Sequence, residues 1–297
     1  MIDVNQCPIC QGTNFSPHLT CTDHSVSHET FAIVKCNTCE LLITNPQPAY
    51  NELEKYYLSQ AYASHINQGK SLLDKVYLLA RTFTLKWKLS LLEKHHSKQN
   101  GTILDFGCGV GEFLNVANKH GWITTGVEPS QLARMNADPR VSQNIFPSLE
   151  HIPIQSKRFD VITAWHVLEH VSELNNTIQI LKQLLRDNGT IFIAVPNHNS
   201  WDAHHYKSYW AAYDVPRHLW HFNIHSMTRL LSAHSLTVAD VIPMRLDAFY
   251  VSLLSEKYKG GTFAPNSLAK TVINGLRSNH SARKNLAYSS LIYIVKQ

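Results

Sequence analysis

The sequence predicts an α/β fold class, a Rossmann-like sheet domain standing behind a small amino-terminal metal module. Three observations carry this reading. Apolar segments of strand length alternate with helical periodicity from residue 99 onward. One of them, Thr102–Phe106, runs directly into the turn Gly107-Cys108-Gly109-Val110-Gly111. Two C-x2-C pairs, Cys7/Cys10 and Cys36/Cys39, precede it.

Composition sets the bounds. The chain has 297 residues, 44% hydrophobic and 16% charged, which excludes a disordered or fibrous class. At ~100–200 residues per domain, one large domain or two modest ones are expected. Apolar runs reach only a few residues, far below the ~18 of a membrane-spanning helix. Met1–Cys10 carries Asp3 and no basic apolar stretch, so neither a span nor a signal peptide is expected. The compartment expected is the cytoplasm, where six cysteines point to metal or free thiols. Lysines and arginines outnumber acids 27 to 22, and Lys70–Lys98, with seven basic residues and two acids, accounts for the whole +5.

Residues 1–45 read as a zinc-ribbon module. The two cysteine pairs are separated by 25 residues and can present four thiolates tetrahedrally to a structural Zn²⁺. Phe31 and Ile33 alternate like a strand feeding the second pair. A module of this size buries little by itself, so metal binding, worth ~10–16 kcal/mol in zinc peptides, would hold it together. Cys21, His18, His24 and His28 lie between the pairs as substitute ligands.

Residues 46–98 read as a helical cover. Asn45-Pro46-Gln47-Pro48 is a turn. Tyr56, Tyr57, Tyr62 and His65 form a polar aromatic cluster, in which Tyr56, Tyr62 and His65 are candidates for substrate contact. Leu72, Val76, Leu79, Phe83, Trp87 and Leu91 recur at three and four residues, which predicts a long amphipathic helix with a basic outer face. That face is either solvated or a surface for an anionic substrate.

Residues 99–297 form the sheet domain. After the strand and the glycine turn, Phe113, Leu114 and Ala117 mark a helix, and a second strand at Trp122–Val127 ends in Glu128-Pro129. Strand, glycine turn and helix is the context a nucleotide-binding loop requires. Glu128 stands 23 residues beyond Asp105, where an acid accepts hydrogen bonds from both ribose hydroxyls. Dinucleotide sites use G-x-G-x-x-G; here three alternate glycines follow an acid. An acid repels a diphosphate and attracts a cationic amino acid or sulfonium, which favours S-adenosylmethionine over NAD.

With Asp105, Gly107, Gly109 and Gly111 at this spacing, residues 102–297 resemble the class I S-adenosylmethionine-dependent methyltransferases. Phe159–Trp165 matches that family's fourth strand and His166-Val167-Leu168-Glu169-His170-Val171 the helix start after it. Ile191–Asn197 matches the fifth strand and its loop, and Val238–Met244 with Leu291–Val295 the last antiparallel pair. The resemblance implies a seven-stranded sheet of order 3-2-1-4-5-7-6 with its last strand antiparallel. It also implies cofactor contacts from Asp105, Gly107, Cys108, Gly109, Gly111, Glu128, Pro129, Trp165 and His166. Ile145 and Phe146 would sandwich the adenine.

The substrate side is expected in a lid near residues 198–222, which follows the fifth strand and is dense in aromatics and histidines. Tyr213, Asp214 and Arg217 are substrate candidates there. Histidine titrates near neutrality, so His218, His166, His170 and His221 are candidate bases, His218 first. The first choice also follows a resemblance to zinc-module sugar C-methyltransferases, which carry a histidine matching His218; their neighbouring tyrosine and glutamate are here Val215 and Arg217. His166, Glu169 and His170, at i, i+3 and i+4, would share a helix face and offer a metal site, in the region where the similar ubiquinone-pathway O-methyltransferases use a divalent ion.

The function expected is methyl transfer to oxygen or carbon of a small-molecule, glycan or lipid-precursor acceptor. Large-subunit rRNA guanine methyltransferases also join a four-cysteine module to this fold, so an RNA methyltransferase is the alternative. A non-catalytic binding protein is the third.

Overall fold

The computed structural model describes residues 1–57, 72–96, 100–153, 159–260 and 267–297. Its strands are β1 (Phe15–Thr22), β2 (Thr30–Cys36), β3 (Leu42–Thr44), β4 (Thr102–Phe106), β5 (Ile123–Val127), β6 (Ile145–Phe146), β7 (Phe159–Trp165), β8 (Leu185–Pro196), β9 (Trp220–His221), β10 (Thr237–Pro243) and β11 (Ser290–Lys296). Its α-helices are α1 (Leu72–His95), α2 (Glu112–Lys119), α3 (Gln131–Met135), α4 (Pro139–Ser142), α5 (Leu174–Leu184), α6 (Trp201–Tyr206), α7 (Ile224–Ala233), α8 (Asp247–Gly260) and α9 (Ser267–Ser281).

Seven strands form one sheet in the order β10-β11-β8-β7-β4-β5-β6. Counted from Thr102, this is the expected 3-2-1-4-5-7-6. β4 pairs in parallel with β5 and β7, and β8 with β7, while β11 lies antiparallel to β8 and β10. The central strands are continuous apolar runs because helices cover both faces. Ile103, Leu104, Val161, Ile162, Phe192 and Ile193 are fully buried. The sheet therefore brings the ends of β4, β5 and β7 to one edge, where the glycine turn lies.

The second sheet is β1-β2-β3-β9. Its fourth strand comes from the segment read as a lid: Trp220 pairs with Ile43 and His221 with Leu42. The amino-terminal residues are consequently not held by metal alone. Leu41 and Ile43 join one apolar core with Leu104, Val195, Trp220 and Phe222. β-Strand pairing and this shared core supply the burial that 45 residues lack in isolation.

Helix α1 corrects one expectation. Phe83, placed on the apolar face, is 65% exposed, while Leu89 and Leu92 are buried. The basic residues do not all face outward either. Arg81 pairs with Glu112 at the start of α2, and the Lys88 ammonium lies 4.4 Å from the centroid of the Trp165 ring. The helix spans a boundary between apolar sheet and a charged pocket, so its inner face carries both kinds of residue. Lys70 and Lys98 lie outside the described residues.

Candidate active site

The site is built on the turn after β4. Gly107, Gly109 and Gly111 all have positive φ, at 74°, 55° and 74°. A Cβ at Gly107 would lie 2.3 Å from Val167 Cγ2, so only glycine fits that close approach. A Cβ at Gly109 would meet no protein atom within 4 Å. The crest of the turn thus faces open space, with backbone rather than side chain presented to it. The amide of Gly109 donates to Glu128 Oε2 at 3.0 Å, and that of Ser130 to Glu128 Oε1 at 2.9 Å. The Glu128 carboxylate is held at the end of β5, facing the glycine crest.

Beneath the turn lies Asp105, 2% exposed. Thr163 Oγ1 donates to its Oδ1 at 2.6 Å. Burial pushes its carboxyl up to about 7, with Glu128 adding to the rise and Thr163 and Lys88 opposing it. Burial likewise lowers the Lys88 ammonium from its ordinary value, while Asp247 and Asp105 support the charge. Trp165 stacks edge-on with Phe113, and its buried Nε1 has no hydrogen-bond partner. A buried acid, a half-buried lysine and an orphan donor around an open glycine crest fit a ligand carrying both signs of charge.

Two expected adenine contacts behave differently. Ile145 is core: it packs with Leu114, Ala137 and Val141 under the turn, and a Cβ added at Gly111 would lie 3.1 Å from its Cδ1. It can floor the pocket but does not stand free. Phe146 is half-buried, and its carbonyl accepts the Glu128 amide at 2.9 Å. Cys108 packs against the same cluster, and burial pushes its thiol well above the ordinary range. Pro129 follows Glu128 at the rim, where its carbonyl accepts from Arg134 Nη1 at 2.7 Å.

His166 stands at the end of β7 in left-handed backbone, φ 57°, a strained state for a non-glycine residue. Its Nε2 lies 3.1 Å from Asp247 Oδ2 and its Nδ1 3.4 Å from Glu169 Oε1. Burial opposes the charge, but the two carboxylates outweigh it and raise the imidazole to about 9. The anticipated helix after it is a 3-10 turn, Leu168–His170, so His166, Glu169 and His170 do not share a helix face. Instead one donor atom from each of Glu169, His170 and His218 lies within 4.8 Å of the others. The His170 and His218 rings meet edge to face at 4.5 Å. His218 Nδ1 donates to the Ala212 carbonyl at 2.9 Å, and His170 Nδ1 lies 3.1 Å from the Arg217 carbonyl and from the Tyr57 hydroxyl. Burial pushes His170 down to about 4. The Glu169 carboxylate is buried, and neither oxygen has a hydrogen-bond partner.

Five expected site residues are committed elsewhere. Arg217, 2% exposed, spans to Asp23 at 3.0 Å, Asp214 at 2.6 Å and the Tyr56 carbonyl at 3.0 Å. It ties the segment before β9 to the amino-terminal sheet and offers no free donor face to a substrate. Asp214 serves the same network and is held below its ordinary range: burial works against its charge, and Arg217 overcomes it. Tyr56 is fully buried and donates to Glu29 at 2.8 Å. His221 is buried in β9, 3.1 Å from Thr44 Oγ1, and burial holds it well below its ordinary value, which leaves it a neutral structural group. Tyr213 is 3% exposed and packs on His18 and His221. Tyr62 and His65 lie outside the described residues.

The four cysteines of the metal module do converge. Cys7 Sγ is 3.4 Å from Cys39 Sγ, Cys10 Sγ is 3.4 Å from Cys36 Sγ, and all four lie within 4.8 Å of one another. Tetrahedral Zn–S bonds of ~2.3 Å require sulfurs about 3.8 Å apart, so the arrangement fits a zinc ion. The Cys39 thiol beside it draws the Cys7 thiol below its ordinary range, while Cys39 and Cys10 are raised.

Sequence reasoning did not single out Lys88 or Asp247. Lys88 reads only as one of the seven basic residues of Lys70–Lys98, and Asp247 lies 81 residues from its partner His166 in no motif.

Comparison with known proteins agrees with the geometry. A family model described as a methyltransferase domain matches residues 78–241. The ubiquinone biosynthesis O-methyltransferase of Coxiella burnetii is 32% identical over 119 residues, covering 38% of this chain and 50% of that protein. The chain spans about half the length of the curated relatives it matches. The structure of Burkholderia thailandensis 1,6-didemethyltoxoflavin-N1-methyltransferase superposes with a TM-score of 0.50 at 14% identity, covering 95% of this chain and 98% of that one. The cyclase SpnF superposes at 0.53 with 16% identity, covering 85% and 98%. At these identities the likeness is one of fold.

Proposed function

Since the chain belongs to the methyltransferase-domain family, we propose that it is an S-adenosylmethionine-dependent methyltransferase whose acceptor is a small molecule, glycan or lipid precursor, methylated at oxygen or carbon. The observation that carries this reading is the Gly107–Gly111 crest facing the Glu128 carboxylate, with Asp105 beneath. When bound, S-adenosylmethionine supplies an electrophilic methyl group on a sulfonium. Glu128 would accept hydrogen bonds from its ribose hydroxyls, and Asp105 with Lys88 would match its amino and carboxylate groups by charge. The chain mainly aligns the reactants, which is worth up to ~7–11 kcal/mol.

His218 is the proposed base. Its Nδ1–H is fixed on Ala212, which leaves Nε2 unprotonated in the neutral ring. Asp214 Oδ2 lies 4.0 Å from Nε2. The loop 198–222 serves as both lid and structural tie. The Cys7, Cys10, Cys36 and Cys39 group holds structural zinc in this reading. Of the described cations on α1, Arg81 and Lys88 turn inward, which weakens the case for an RNA-binding face.

A second reading of the lid rests on the buried Glu169 carboxylate, which makes no hydrogen bond and has the His166 imidazole 3.4 Å away: Glu169, His170 and His218 hold a divalent cation that positions the acceptor. Manganese titration followed by electron spin resonance separates the two. A bound ion lost in Glu169→Gln supports the cation; no binding leaves His218 as base.

The experiment for the function itself is calorimetric titration with S-adenosylmethionine, its demethylated product and NAD. Micromolar binding of the first two and none of NAD is the expected result. Binding of neither would move the non-catalytic reading to the front, and salt-dependent retention on RNA would favour the RNA methyltransferase.

A further inference from the structure

Helix α9 is turned inside out. Leu268, Val272, Ile273 and Leu276 are 54%, 45%, 47% and 57% exposed, whereas Ser267, Thr271, Asn274 and Ser278 are buried. Leu268, Val272 and Leu276 follow at intervals of four and so line one stripe, with Ile273 beside them. The orientation is fixed from within. Ser278 Oγ donates to Asp202 Oδ1 at 2.7 Å, and Asn274 Nδ2 to the Tyr206 hydroxyl at 2.9 Å and Glu256 Oε1 at 3.3 Å. Gly275 packs so closely on α8 that an added Cβ would lie 2.5 Å from Phe249 Cδ1. Rolling the helix to bury its leucines would break those bonds and that contact.

The apolar face continues onto the neighbouring turn and α8. Asn279 Nδ2 donates to the Arg245 carbonyl at 2.9 Å, which brings Leu246 alongside, and Leu246 and Tyr250 are 45% and 41% exposed. A contiguous apolar face of this kind marks a contact surface. Its surroundings are basic. From Lys257 to Lys284, from the end of α8 through α9 and the turn after it, the chain has six lysines and arginines and no aspartate or glutamate. Lys270 and Arg277 lie one row from the apolar stripe, both exposed, with the Lys270 ammonium 4.0 Å from the buried Glu256 carboxylate.

We infer that this face docks on an anionic lipid surface, the α9 apolar stripe entering the headgroup boundary and the flanking cations meeting lipid phosphates. Charge selects this occupant over a second copy, because two such faces would set cation against cation. The association is peripheral: no helix among the described residues is long and apolar enough to cross a membrane. Asp247, at the start of α8, touches His166 in the active site, so the docked face adjoins the catalytic edge of the sheet.

The test is co-sedimentation of the full chain with vesicles of phosphatidylcholine alone or with roughly one third phosphatidylglycerol, read by protein retained and not by activity. Retention on the anionic vesicles, falling with salt and at least about tenfold weaker in Val272→Asp/Leu276→Asp, is the expected result. Both substitutions lie on the exposed face, and unchanged S-adenosylmethionine binding by the double variant would show its fold intact. Equal or absent retention on both vesicle types overturns the proposal. So does a dimer in light scattering that the double variant dissolves, which would assign the face to a second copy.

Discussion

Glu128 accepts the backbone amide of Gly109 at 3.0 Å, so the acid ending β5 and the crest of the glycine turn are one structural unit. Bound ribose hydroxyls would share the same carboxylate. Charge-assisted hydrogen bonds contribute ~1.5–3 kcal/mol each. Glu128→Ala is therefore expected to weaken S-adenosylmethionine binding by about tenfold or more in calorimetry. Unchanged affinity would sink the cofactor assignment.

Two glycines of the same turn separate fold from binding. At Gly107 an added methyl meets Val167 at 2.3 Å, so Gly107→Ala is expected to lower the melting temperature clearly. At Gly109 it meets nothing, and only left-handed strain of ~1–2 kcal/mol applies. Gly109→Ala should keep the fold and lose the cofactor. Equal melting temperatures with equal affinities would mean that nothing docks on this crest.

Asp105 gives a pH dependence with a definite sign. Burial sets its carboxyl near about 7, and a cationic ligand favours the ionised form. Affinity for S-adenosylmethionine should rise about tenfold between roughly pH 6 and 8, as linkage to one ionisation requires. Asp105→Asn should flatten that slope. A slope that survives the substitution would place the titrating group elsewhere.

The sheet was legible because its strands are unbroken apolar runs punctuated by glycine, and the strand order followed from the resemblance that the glycine turn supports. The cysteine pairing was legible because spacing alone defines it. The lid was not. Arg217 and Tyr213 have the composition of substrate-binding residues, yet they are spent on contacts to Asp23 and His18, nearly two hundred positions away. His221 reads as a base until β9 pairs it with Leu42. Long-range strand pairing leaves no local signature, and neither does the approach of Lys88 to Trp165.

Arg217 provides the test of that tie. Its removal leaves Asp23 and Asp214 facing each other without a cation, and breaking a buried pair costs ~3–5 kcal/mol. Arg217→Met is expected to lose stability of that order in urea unfolding. A loss confined to acceptor KM, with stability intact, would restore the substrate-binding role.

For the cysteine group, purified protein is expected to carry one zinc per chain by atomic absorption. Cys36→Ser should release it and lower the melting temperature. Zinc retained in the variant would show that the four-cysteine site is wrong.

The pairing of β9 with β3 has a consequence for how the chain can be cut. Removing residues 1–45 would not trim an appendage. It would strip the cover from Trp220 and Phe222 and leave Trp220–His221 without the strand it pairs with, an exposed edge prone to intermolecular association. Any shortened version of this protein has to keep its first residues to keep that edge covered.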